Sequence, residues 1–218
     1  WEIITMDKII EKISAMGVVP VVAIENASDV GGLGDALIGG GLPCAEITFR
    51  TAAAASAIRN LCNSHPGILV GAGTVLTKSD AETAVDAGAS FVVTPGFDGD
   101  LVDWCLDQSI PVIPGVMTPT DINAAINRKL NVLKFFPAEA AGGVKTLKAI
   151  SGPYGSIKFV PTGGITLGNL EAYLSLPNVV ACGGSWLVQK DQISSGEFDT
   201  IESLVREAVQ LVDRIRGK

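Results

Sequence analysis

Short runs of β-branched and apolar residues alternate with longer helix-forming stretches along this chain, and that alternation restricts the fold more than any other feature of the sequence. Strand-forming runs fall at Val18–Ile24, Cys44–Phe49, Leu69–Val75, Phe91–Thr94, Pro111–Val116, Val132–Phe136, Lys158–Thr162 and Val179–Cys182. They recur about every 20 to 25 residues and number about eight, as a closed parallel barrel of βα units requires. Between them the sequence predicts helices at Ser28–Gly40, Ala52–Ser64, Ser79–Gly88, Asp100–Gln108, Pro119–Arg128, Gly143–Ser151 and Gly168–Leu176. Ser79 and Thr118 are the expected N-caps. A helix over Met6–Met16 precedes the first strand, and a long amphipathic helix over Glu197–Arg216 follows the last. The expected fold is α/β: one (β/α)8 TIM-barrel domain spanning residues 1–218, with an N-terminal and a C-terminal helix.

Composition narrows the function. Acidic residues outnumber basic ones by 23 to 16, a net charge of −7, which argues against a nucleic-acid partner. Any anionic substrate must then be met by a local arrangement of donors. Four cysteines without a CxxC pair and a single histidine, His65, suggest neither a metal site nor a disulfide framework, and favour a reducing cytoplasm. No apolar run approaches the length of a membrane-spanning helix, and no charged-then-apolar leader opens the chain. The expectation is a soluble, cytoplasmic protein acting on a small molecule. Neither a Walker-type nor a dinucleotide-binding glycine motif occurs.

Glycines, prolines and threonines gather where strands end, at Gly71–Thr74, Thr94–Gly96, Pro114–Val116, Pro161–Gly164 and Gly183–Ser185. In a parallel barrel that is the face on which substrate sites are built, and glycine there lets backbone N–H groups approach a ligand. Tight turns alone explain any one of these; five together point to a site. The last two, at Pro161–Gly164 and Gly183–Ser185, occupy the positions where barrels commonly hold a phosphate.

Lys134 lies within the apolar run Asn131–Pro137, on the same side as Val132 and Phe136. Burial disfavours charge on an amine, which is the condition for a nucleophile that forms imines with carbonyls. A lysine at a strand end that reaches water or pairs with a core carboxylate is the other reading. Glu46 and Arg50 share a strand parity with Cys44 and Thr48. Glu46 is thus placed to carry protons, or to join a buried ion network with Arg50 or Lys134, and Arg50 to grip a carboxylate.

Taken together, Glu46–Thr51, Val70–Leu76, Leu133–Glu139, Pro161–Ile165 and Gly183–Val188 resemble the 2-keto-3-deoxy-6-phosphogluconate (KDPG) aldolase and 4-hydroxy-2-oxoglutarate aldolase family. The similarity runs in order from about Val18 to Val188. It implies a class I aldolase, a carbon–carbon lyase of the Entner–Doudoroff type that needs no metal or other cofactor and is commonly a homotrimer. It implies Lys134 as the Schiff-base lysine, Glu46 as general acid/base, and Arg50 with Thr74 as the carboxylate site. Pro95 and Phe136 then line the pocket, Thr162 contacts the keto acid, and Gly163, Gly164, Gly184 and Ser185 hold the phosphate. Phe49, Thr94 and Met117 depart from the family's usual residues, Met117 near the expected pocket rim. A related aldolase preferring a non-phosphorylated 2-keto acid, and a barrel that binds a sugar phosphate without turnover, are the alternative readings.

Overall fold

The strands read as near-continuous apolar runs because both of their faces are covered. In the computed structural model, which describes residues 5–217, the chain runs α1 (Met6–Met16), β1 (Val18–Val22), a 3-10 turn (Ala27–Asp29), α2 (Val30–Gly39), β2 (Cys44–Thr48), α3 (Ala54–Ser64) and β3 (Leu69–Gly73). It continues through α4 (Lys78–Asp86), β4 (Phe91–Val93), α5 (Gly99–Asp107), β5 (Val112–Ile113), β6 (Gly115–Val116), α6 (Pro119–Ile126), β7 (Val132–Phe135) and α7 (Gly143–Ser151). The last elements are β8 (Lys158–Pro161), α8 (Leu167–Leu174), β9 (Cys182–Gly184), α9 (Lys190–Ser194) and α10 (Phe198–Arg216). Readings of the first four residues and of Lys218 lie outside the described part.

Side chains of alternating parity form two separate apolar clusters. Val19, Cys44, Leu69, Phe91, Val93, Ile113, Val132, Val160 and Ala181 meet on the inner face, where α1 inserts Ile9 and Ile13, one turn apart. Val18, Ala45, Ile47, Val70, Ala72, Val92 and Leu133 point outward into the second cluster, under the surrounding helices. The last helix contributes Ile201, Val205, Ala208 and Val212, spaced to lie on one face. Against it packs Gly40, the residue that caps the C-terminus of α2, where a Cβ would stand 2.5 Å from Val205 Cγ1.

All strand pairings are parallel, in a six-stranded sheet ordered β5-β4-β3-β2-β1-β9 and a three-stranded sheet ordered β6-β7-β8. The single ring of eight paired strands expected from the sequence is therefore replaced by two sheets. The division falls in the run Pro111–Val116, because Pro114 has no N–H to donate. It still accepts a bond from the Lys134 N–H, at 2.9 Å. On the other side, single parallel bridges link Phe159 to Val179 and Thr162 to Gly183.

Two further expectations need correction. The last strand is Cys182–Gly184 rather than Val179–Cys182. Its glycines belong in the strand because Thr162 and Trp186 fill the space their side chains would need: a Cβ on Gly183 would lie 2.3 Å from Thr162 Oγ1. At α4 the cap is Thr77, not Ser79. Its hydroxyl accepts the Asp80 N–H at 3.1 Å while the Asp80 carboxylate accepts the Thr77 N–H at 3.1 Å, a reciprocal pair that Ser79 is too late to form. Thr118 caps α6 as expected, through the same arrangement with Asp121. Among the described residues, no helix is long and apolar enough to cross a membrane.

Candidate active site

β2 and β7 point one charged side chain each into the interior. Glu46 is 4% exposed and Lys134 5%. Lys134 Nζ donates to Glu46 Oε1 at 3.1 Å, and the ammonium lies 5.4 Å from the centre of the Phe136 ring. Two ions removed from water are costly unless they meet, and here they meet across residues 88 positions apart in the chain. Below them the interior is lined by Ile13, Val19, Phe91, Val93, Ile113 and Val160, so no other charge competes there. The carboxylate fits because Gly73 has no side chain: a Cβ at that position would stand 2.2 Å from Glu46 Oε1.

Arg50, just beyond β2, does not join this pair. It is exposed, and its Nε donates to Thr74 Oγ1 at 3.3 Å. Thr74 holds φ at 54°, a left-handed conformation that a β-branched residue rarely adopts and that is found mostly at functional sites. Arg50 also lines a cleft with Thr48 and Ser185. Thr48 is tied down by its hydroxyl, which donates to the Val22 carbonyl at 2.8 Å.

Pro95 follows β4, which β3 separates from the strand of Glu46. Thr94 Oγ1 donates to the Gly96 carbonyl at 2.6 Å and accepts the Gly115 N–H at 3.2 Å, and Gly115 is the sheet partner of Lys134. A Cβ on Gly115 would lie 2.3 Å from the Pro95 carbonyl, so the absence of a side chain lets this turn close.

Thr162, buried at the end of β8, packs on Gly183. Gly163 and Gly164 follow with φ of 99° and 78°. Both of their carbonyls are held: the Glu139 N–H donates to Gly163 O at 3.1 Å and Asn169 Nδ2 to Gly164 O at 3.0 Å. Glu139 is itself fixed by the Tyr173 hydroxyl, which is buried and whose pKa is pushed up by that burial and by the carboxylate. These two bonds hold the turn in its left-handed conformation.

The chain has counterparts among known proteins. The model of the family described as KDPG and KHG aldolase matches residues 9–204. The chain belongs to that family. A 2-dehydro-3-deoxy-phosphogluconate aldolase of Haemophilus influenzae is 49% identical over 208 residues, 95% of this chain and 98% of the relative. A KHG/KDPG aldolase of Escherichia coli is 42% identical over 193 residues, 88% and 91% of the two chains. Among solved structures, a KDPG aldolase from Legionella pneumophila, in which pyruvate was captured as a covalent carbinolamine, superposes with a TM-score of 0.89 at 40% identity, covering 91% of this chain and 97% of its own.

In this KDPG and KHG aldolase family member the inward lysine and glutamate were legible from strand parity. Gly73 and Glu139 fall within sequence motifs but, like Asn169, carry no role legible there, although glycine two residues beyond Gly71 in an apolar strand is a signal of close approach. His65, the single histidine, caps the C-terminus of α3 and contacts Asp35 Oδ1 at 3.1 Å and Ser64 Oγ at 2.8 Å. Among the described residues, no group of three or more His, Cys, Asp or Glu is arranged to hold a metal.

Proposed function

We propose that this chain is a class I aldolase that cleaves 2-keto-3-deoxy-6-phosphogluconate to pyruvate and glyceraldehyde 3-phosphate. The observation that carries the reading is the buried pair of Lys134 Nζ and Glu46 Oε1 at 3.1 Å, in a family whose Legionella member forms a carbinolamine with pyruvate. A lysine ammonium cannot attack a carbonyl until it gives up a proton, and Glu46 is the acceptor in reach. Lys134 then adds to C2 of the keto acid, Glu46 returns the proton to the departing hydroxyl, and the iminium forms. The iminium withdraws electrons from the C3–C4 bond. Glu46 takes the C4 hydroxyl proton, directly or through water, as that bond breaks and the aldehyde leaves; the enamine is reprotonated at C3, and water adds to the resulting iminium to release pyruvate and free Lys134.

Arg50 and Thr74 hold the substrate carboxylate, so that the breaking bond stays aligned with the iminium. Phe136 and Pro95 line the pocket, and Thr162 contacts the bound keto acid. The N–H groups around Gly163, Gly164, Gly184 and Ser185 receive the phosphate. The reading also includes 4-hydroxy-2-oxoglutarate as a second substrate, supported by the name of the Escherichia coli relative. Further parts of it are a single domain whose two sheets are arcs of one eight-stranded barrel, a homotrimer, a cytoplasmic location and no nucleic-acid partner.

The test is incubation with pyruvate and borohydride followed by peptide mapping. A reduced pyruvyl adduct on Lys134 is expected. Its absence, or an adduct on another lysine, returns Lys134 to a structural role and favours a barrel that binds its ligand without turnover.

A further inference from the structure

We propose that Lys190 is a specificity-determining residue that binds the distal anionic group of the substrate, the phosphate, and that Glu25 is the anion it gives up to do so. The proposal rests on the aldolase reading of the same site. A phosphorylated 2-keto acid carries two anionic ends, and Arg50 with Thr74 accounts for one. The turns at Gly163–Gly164 and Gly184–Ser185 offer N–H groups to the other but no formal charge. A phosphate near two negative charges calls for a cation as well.

Lys190 is placed to supply it. It lines the same cleft as Thr48, Arg50 and Ser185, five positions after Ser185 and at the first residue of α9. Lysine rather than arginine suits the task, being a compact charge on a flexible four-carbon stem. Its present partner is Glu25 Oε1 at 2.6 Å, an ion pair in which the two side chains are 54% and 44% exposed. An ion pair so exposed is weak and exchanges readily. Glu25 offers one negative charge where a phosphate offers nearly two, so the ammonium gains by the exchange. The neighbouring Asp191 carboxylate, also on the cleft, repels an anion and makes the contribution of Lys190 more necessary.

The experiment compares kcat/KM for 2-keto-3-deoxy-6-phosphogluconate with that for 2-keto-3-deoxygluconate, the same molecule without its phosphate. It uses wild type, Lys190→Gln, Lys190→Arg and Glu25→Gln, with Lys145→Gln on α7 as a control outside the cleft. Loss of one charged contact lowers the phosphorylated-to-unphosphorylated ratio about tenfold in Lys190→Gln, through KM rather than kcat. Lys190→Arg recovers most of the ratio, Glu25→Gln raises it, and competitive inhibition by inorganic phosphate weakens in Lys190→Gln alone. Equal effects of Lys190→Gln on both substrates, or none on either, overturn the proposal. A wild-type protein that releases pyruvate from neither substrate and forms no borohydride adduct overturns instead the aldolase reading beneath it.

Discussion

Gly73→Ala tests whether the position of the Glu46 carboxylate, rather than its mere presence, drives turnover. A Cβ at residue 73 would lie 2.2 Å from Glu46 Oε1, 2.6 Å from its Cγ and 2.7 Å from its Cδ. Ordinary contact begins near 3.4 Å, so the carboxylate must retreat by about 1.2 Å, the difference of 3.4 and 2.2. It cannot do so and keep its 3.1 Å bond to Lys134 in place. Misplacing a catalytic group by about 1 Å costs on the order of 100-fold in rate. Overpacking of this kind also destabilises by roughly 1–3 kcal/mol. Gly71→Ala is the comparison for overpacking, because the atoms nearest its Cβ would be those of the Phe91 ring, the first at 2.2 Å, rather than the carboxylate. Pyruvate release, followed by a coupled dehydrogenase, and thermal unfolding are measured on both. Similar losses of stability with a fall in kcat about tenfold or more larger for Gly73→Ala are expected. A folded Gly73→Ala protein whose kcat stays within about threefold of wild type refutes the reasoning.

Lys134→Ala abolishes both the borohydride adduct and turnover, and by leaving Glu46 buried without its cation lowers unfolding free energy by roughly 3–5 kcal/mol, read from denaturant melts. Glu46→Gln slows turnover by at least about 100-fold while pyruvate binding, followed by calorimetry, is largely kept. Asn169→Ala frees the Gly164 carbonyl that Asn169 Nδ2 holds at 3.0 Å, and raises KM for the phosphorylated substrate several-fold, about what one lost hydrogen bond removes. Burial works to raise the pKa of Asp121, but hydrogen bonds from the Met117 and Thr118 N–H groups and the Thr118 hydroxyl outweigh it and hold the carboxyl below its usual range. The stability that Asp121 contributes is thus present above the unfolded-state carboxylate pKa and lost as pH falls through the lower folded one; Asp121→Asn flattens that acid limb in thermal melts.

The alternation of apolar runs with helix-forming segments, the parity of Lys134 and Glu46, and the glycines at strand ends are local properties, and the sequence by itself determined them. Strand periodicity decides which side a residue takes, and no distant contact is needed to read it. The caps show how far local chemistry reaches: Thr118 was legible, whereas Thr77 prevailed over Ser79 because a reciprocal bond with Asp80 requires one particular register. Tertiary structure alone decided which groups meet. It chose Lys134 over Arg50 as the partner of Glu46, turned Arg50 towards Thr74, and brought Lys190 into one cleft with Thr48 and Arg50. Each of these depends on packing between segments far apart in the chain. Residue spacing carries no record of which inward charge lies within reach of another, or of where a missing Cβ makes room for a carboxylate.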